Sequence, residues 1–219
     1  MTLPRLSIAV DRPEHRPTAA LRLQRASTVL AAAAALIGAA VLIGYATRTS
    51  AVVRLSPRLP PMYPNAALGL MCGGLGVIAG ARSWKWQGTV AAAVLGAIGV
   101  VGLWLNIAES GPTWFERLFP DGFVTATTPV GGRPVAETCV AFILLAGALG
   151  SLTWQRWAVL GQALAVAGTS VGLSAVVGYI LGVDRTSLGG SLVYVGMALH
   201  TGLGIALVGM AAILARPTV

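Results

Sequence analysis

Charge is scarce in this sequence. Only 10% of its 219 residues are Asp, Glu, Lys or Arg, and its mean hydropathy is +0.79. A soluble domain of this size needs far more charge to cover its surface, so that class is excluded. Histidine and cysteine are far rarer, with two of each. His15 lies in the N-terminal tail, which leaves His200 alone among apolar residues and a bis-histidine haem site without a second ligand. Cys72 and Cys139 both fall inside apolar stretches, at depths about 7 Å apart by the helical rise, so no disulfide is expected between them. They read as small packing residues. No Cys-x-x-Cys, His-Glu-x-x-His, phosphate-loop or Gly-x-Ser-x-Gly pattern occurs. No catalytic residue, metal-ligand set or cofactor is identifiable, and an enzyme is not expected.

What the chain has in abundance is apolar length. Six long runs separated by short polar gaps predict six transmembrane helices at 27–47, 64–82, 87–107, 135–153, 157–182 and 192–215. Each is close to the ~20 residues that carry a helix across a bilayer. Arg48-Thr49-Ser50 and Pro57-Arg58-Leu59-Pro60-Pro61 interrupt the first pair, because proline and charge stop a helix. Arg82-Ser83-Trp84-Lys85-Trp86-Gln87 and Trp154-Gln155-Arg156-Trp157 set tryptophan beside basic residues, as at a lipid headgroup boundary. The expected class is an all-α polytopic membrane protein.

The basic residues orient it. With the N-terminus inside, the cytoplasmic side holds Arg5, Arg12, Arg16, Arg22, Arg25, Arg82, Lys85, Arg156 and Arg216, against Asp11 and Glu14. On the other side, Arg48, Arg54, Arg58, Arg117, Arg133 and Arg185 are nearly offset by Glu109, Glu116, Asp121 and Asp184. The positive-inside rule puts both termini in the cytoplasm, and a bacterial inner membrane is the expected location. The net charge of +8 is then a matter of topology and attraction to the membrane surface, not of nucleic acid. Residues 1–26 form a basic cytoplasmic segment, too polar and too long before its apolar run to be a signal peptide. Its residues 17–26 read either as a basic helix on the inner leaflet or as an unfolded tail. Residues 217–219 form the C-terminal exit.

The even-numbered spans repeat one another. Pro64-Asn65-Ala66-Ala67-Leu68-Gly69-Leu70, Ala136-Glu137-Thr138-Cys139-Val140-Ala141-Phe142 and Leu199-His200-Thr201-Gly202-Leu203-Gly204-Ile205 share a pattern. A polar residue is followed by Ala or Thr, a small residue, an aliphatic one, another small one and a larger apolar one. Asn65, Glu137 and His200 fall in register, 72 and 63 residues apart. The odd-numbered spans echo too, in Ile43-Gly44-Tyr45, Val177-Gly178-Tyr179 and, less closely, Leu103-Trp104-Leu105. The expected unit is a helical hairpin used three times.

Asn65, Glu137 and His200, with Thr138 and Thr201, are candidate ligand-binding residues at the outer membrane face, since polar groups inside a span are costly. Each has a plainer reading. Asn65 after Pro64 suits a helix N-cap. Glu137 suits an interfacial carboxylate one turn from Arg133. His200 suits a neutral imidazole bonded to a carbonyl. Gly69-x3-Gly73 and Gly76-x3-Gly80 permit close backbone approach, either within the bundle or in a homodimer. In the longest loop, Trp114, Phe115, Leu118, Phe119 and Phe123 suggest an interfacial amphipathic helix or a lid.

Two longer stretches resemble a known family. They are Glu109 with Trp114-Phe115-Glu116-Arg117-Leu118-Phe119-Pro120-Asp121-Gly122 and Gly132-Arg133-Pro134 running on to Gly147, and Met197-Ala198-Leu199-His200-Thr201 through Leu214-Ala215-Arg216-Pro217. Residues 30–217 resemble the N-terminal multi-helix membrane region that precedes PAS, histidine-kinase or diguanylate-cyclase modules in bacterial signalling proteins. Where that family has a Met-x-Pro-Asn-Thr-Ala lead-in to its fourth helix, this chain has Pro134-Val135-Ala136-Glu137-Thr138. The family also continues into a cytoplasmic output domain beyond the point matching Val219. The resemblance implies a non-catalytic sensory input module that passes a signal through the sixth span to a fused domain or a protein partner. An accessory subunit of a larger membrane complex is the alternative from another class. A small transporter is a third, disfavoured by the lack of Gly-Pro breaks within the spans.

Overall fold

A computed structural model describes residues 16–56, 59–108, 113–114, 132–181 and 196–215, with side chains from Ala19 onward. Among them there are seven helices and no strand: α1 (Arg16–Ala46), α2 (Ser50–Val53), α3 (Pro64–Ala81), α4 (Lys85–Ile107), α5 (Ala136–Trp154), α6 (Ala158–Ile180) and α7 (Leu199–Leu214). Five of them (α1, α3, α4, α5 and α6) are long and apolar enough to cross a membrane. By length and composition the chain is a multi-pass helical membrane protein. The sixth expected span, 192–215, is represented by α7, whose 16 residues cover about 24 Å at the helical rise.

The helix ends follow local chemistry. Pro64 starts α3 at a position where its missing N–H costs nothing. Asn65 is therefore not the N-cap; Tyr63 occupies that place, with no side-chain cap bond, and the asparagine side chain is released for tertiary work. The α3–α4 and α5–α6 links are tight, and Ser83, Gln155 and Trp157 take left-handed backbone conformations to make them. At the N-terminus, α1 is one continuous helix from Arg16, so residues 17–26, read as a separate surface helix or an unfolded tail, continue the first long helix instead.

Packing sorts the long helices into two layers. The closest pairings are α1 with α3, α4 with α5, and α6 with α7. Between these pairs α3 meets α4, α5 meets α6, and α7 meets α1, which closes a ring. The helices α3, α5 and α7 also touch one another and form its centre. Burial agrees: 67% and 50% of the apolar windows of α3 and α5 are buried, against 28% for α1, α4 and α6. In α7, ten of the sixteen residues are buried.

Each outer helix crosses its inner partner on a glycine. A Cβ at Gly99 would stand 2.8 Å from the Cys139 carbonyl oxygen, and one at Gly172 would stand 2.6 Å from that of Gly202. One at Gly38 would overlap the Ala67 carbonyl. Ala67, Cys139 and Gly202 each lie two residues after Asn65, Glu137 and His200, so all three crossings occur at the same depth. Lipid gives no hydrophobic drive for helices to associate, so this backbone-to-backbone approach, with its dispersion contacts, holds the pairs together.

Candidate functional site

The first turns of α3, α5 and α7 form a polar collar at one end of the bundle. Asn65 is 1% exposed and His200 6%, and Thr138 and Thr201 are buried beside them. Asn65 donates from Nδ2 to the Gly132 carbonyl, 2.9 Å away, in the lead-in to α5. The His200 imidazole lies close to the backbone of Val53, in α2. Each of these side chains thus reaches into the neighbouring helical pair: Asn65 from the first to the second, His200 from the third to the first. Glu137, on the second, is half-buried. Its Oε2 and the Nε2 of His200 are buried without a hydrogen-bond partner among the described residues. Glu137 is also the only acidic residue among those described. Arg133, one turn before it, is buried and donates to the Leu105 carbonyl at 3.1 Å.

A second set of bonds holds the collar from the outer helices. The Tyr45 hydroxyl donates to the Met62 carbonyl at 3.0 Å, and the Tyr179 hydroxyl to the Met197 carbonyl at 2.9 Å. In the middle pair Asn106 takes the tyrosine's place and donates to the Pro134 carbonyl at 2.9 Å. Each donor lies seven residues after the crossing glycine of its helix, and each acceptor lies three residues before Asn65, Glu137 or His200. Asn106 also donates to Gly102 in the turn before it. The sequence comparison, centred on Leu103-Trp104-Leu105, missed Asn106 as the counterpart of the two tyrosines. Counting seven residues from Gly99 would have found it.

Below the collar the bundle axis is closed. Leu70, Phe142 and Ile205, five residues below the polar level, are all buried. Gly69 lies against the Phe142 ring and Gly204 against Leu70, and in both places a Cβ would overlap the neighbour. Deeper in α3, Gly73 faces Val208, Gly76 faces Ala91 and Leu149, and Gly80 faces Leu152. All four candidate packing glycines of this helix therefore contact the bundle interior.

Cys72 and Cys139 are free thiols on α3 and α5. No group of three or more His, Cys, Asp or Glu suited to hold a metal occurs among the described residues. Trp114 is exposed; Phe115 and Phe119, the other interfacial candidates, lie outside the described residues.

No protein-family model, curated protein or solved structure matches this chain. What defines it is its own architecture: a multi-pass helical membrane protein with a closed axis and a polar collar at one end.

Proposed function

We propose that this chain is a non-catalytic sensory or regulatory input module of the bacterial inner membrane. It would comprise six spans in three duplicated hairpins, with both termini cytoplasmic. The observation that carries this reading is that two polar atoms of the collar, Glu137 Oε2 and His200 Nε2, are buried with no hydrogen-bond partner among the described residues. Leaving such atoms unpaired costs about 1–3 kcal/mol each, and in natural proteins that kind of cost concentrates at functional positions. The collar, with Asn65, Glu137, Thr138, His200 and Thr201, is the input point. A small molecule, a proton or a partner protein that engages Glu137 or His200 changes how the hairpins meet. The hairpins themselves are stiff, so the change is a shift of one hairpin against another.

The output is α7. Its first turn carries His200, and its last turn leads to Arg216-Pro217. Near that end the Ser27 hydroxyl donates to the Ala211 carbonyl at 2.7 Å, so movement of α7 is felt by α1 as well. Three further observations support the reading. The glycine crossing and the latch before each registered polar residue recur in all three pairs, as duplication requires. The packed axis argues against a transport path. The Met62-x-Pro64-Asn65-Ala66-Ala67 lead-in of α3, with Ala66 in place of Thr and one hairpin earlier, resembles the pattern that the signalling family places before its fourth helix.

The test joins a cytoplasmic reporter kinase or cyclase domain after Arg216 and compares Glu137→Gln, His200→Ala and the unaltered chain in membranes. A changed reporter output in either variant, at equal protein level, is expected. Unchanged output in both would favour an accessory-subunit role, which purification of a stable complex from native membranes would then establish.

A further inference from the structure

The end of the bundle opposite the collar carries a second feature, independent of the first. The α5–α6 link is only Gln155-Arg156-Trp157, and both flanking residues are left-handed, Gln155 at φ 51° and Trp157 at φ 50°. A bulky aromatic residue rarely adopts this conformation, which glycine or asparagine occupies at less cost. The turn is held there: the Ser151 hydroxyl lies against the carbonyls of Arg156 and Trp157, the latter at 3.1 Å. Gly161 makes room for that serine, since a Cβ would overlap it. The result is a tryptophan 77% exposed beside an exposed arginine.

Trp157 also stands at the edge of a shallow, widely open groove on the surface of α6, lined by Trp157, Ala158, Val159, Leu160 and Ala163. Every lining residue is apolar, and the groove follows the first turns of α6. At this end of the bundle the described charges have one sign. Lys85 Nζ sits 5.7 Å from the centre of the Trp154 ring, and Arg82 stands 5.2 Å from that of Trp84 in the neighbouring turn. With Arg22, Arg25 and Arg156 they are the described charged residues of this end, and the one described acid, Glu137, lies at the other.

We propose that the α5–α6 turn is a binding site for an anionic phospholipid. Lys85 and Arg156 hold the headgroup phosphate, Trp157 lies at the glycerol level, and one acyl chain lies in the groove along α6. A free anion would leave the groove empty, and a zwitterionic lipid would bring a like charge toward the basic residues. The strained turn fits this use, because it presents Trp157 and Arg156 side by side and exposed at the start of α6. The site rests on the reading that these helices cross a membrane, but not on the sensory role of the collar.

The full chain is reconstituted in phosphatidylcholine vesicles that contain a small fixed fraction of lipid with brominated acyl chains, either phosphatidylglycerol or phosphatidylcholine. Tryptophan fluorescence is then recorded. Brominated phosphatidylglycerol is expected to quench more strongly than brominated phosphatidylcholine, and Trp157→Phe to remove most of that difference. Lys85→Gln and Arg156→Gln should each weaken the preference by about fivefold, the worth of one basic group near an anionic headgroup. Val159→Asn, which makes the groove polar without changing charge or adding a fluorophore, should weaken it as well. Equal quenching by the two lipids, or a preference unchanged in all four variants, overturns the site and leaves the membrane reading standing. Quenching by neither lipid overturns both.

Discussion

Asn65 shows how one residue's role depends on what stands beside it. Pro64 starts the helix, so the asparagine amide is free to reach the Gly132 carbonyl in the next helical pair. Asn65→Ala removes the donor and leaves a buried carbonyl with one bond fewer, a loss of about 1–2 kcal/mol. Asn65→Asp should cost more, because an ionised carboxylate is acceptor-only and would face a carbonyl oxygen without water to separate them. Thermal unfolding in detergent should rank the chains as unaltered, then Ala, then Asp. An aspartate as stable as the alanine would mean that water reaches this seam. The same logic separates Asn65, which donates across its seam to Gly132, from Glu137 in the corresponding position of α5, whose Oε2 has no hydrogen-bond partner among the described residues.

For the helices, the decisive quantity is how closely two backbones approach. Replacing glycine by alanine in an exposed helix interior stabilises it by about 0.5–1 kcal/mol. Gly150 in α5 has nothing within 4 Å of a built Cβ, so Gly150→Ala should raise the unfolding temperature. Gly172 in α6 lies against the Gly202 carbonyl, so Gly172→Ala should lower it, with an overpacking cost of about 1–3 kcal/mol. The opposite signs are the measurement. Two stabilising substitutions would show that α6 and α7 are looser than described and that the hairpin is not a rigid unit.

For the whole molecule, the collar and the basic-aromatic turns lie at opposite ends, and sidedness is the property to measure. Cysteine placed at Ser56, near the collar, should react with a membrane-impermeant thiol reagent on intact cells. Cysteine placed at Gln155 should react only after permeabilisation. Reversed reactivity would invert the topology and put the lipid-binding turn on the outer leaflet. The native Cys72 and Cys139 give a low background, since both lie on helices within the bundle.

The long helices and most of their ends were legible in the sequence, though the short α2 was not. Apolar length, proline and basic turns are local signals, and five long apolar helices match their expected positions to within a few residues at the link ends. The length of α1 was less legible, because its basic first turns look like a tail until the helix is seen to continue through them. The register of Asn65, Glu137 and His200 was also readable, since it depends only on counting. Their partners were not. That Asn65 meets Gly132, that Tyr45 and Tyr179 latch onto methionine carbonyls, and that Asn106 stands in for a tyrosine all depend on backbone groups, which look alike in every residue. The division into inner and outer helices was hidden for a related reason. In lipid both faces of a span are apolar, so hydrophobicity does not mark the buried one; only the fit of glycine to a neighbouring backbone decides it.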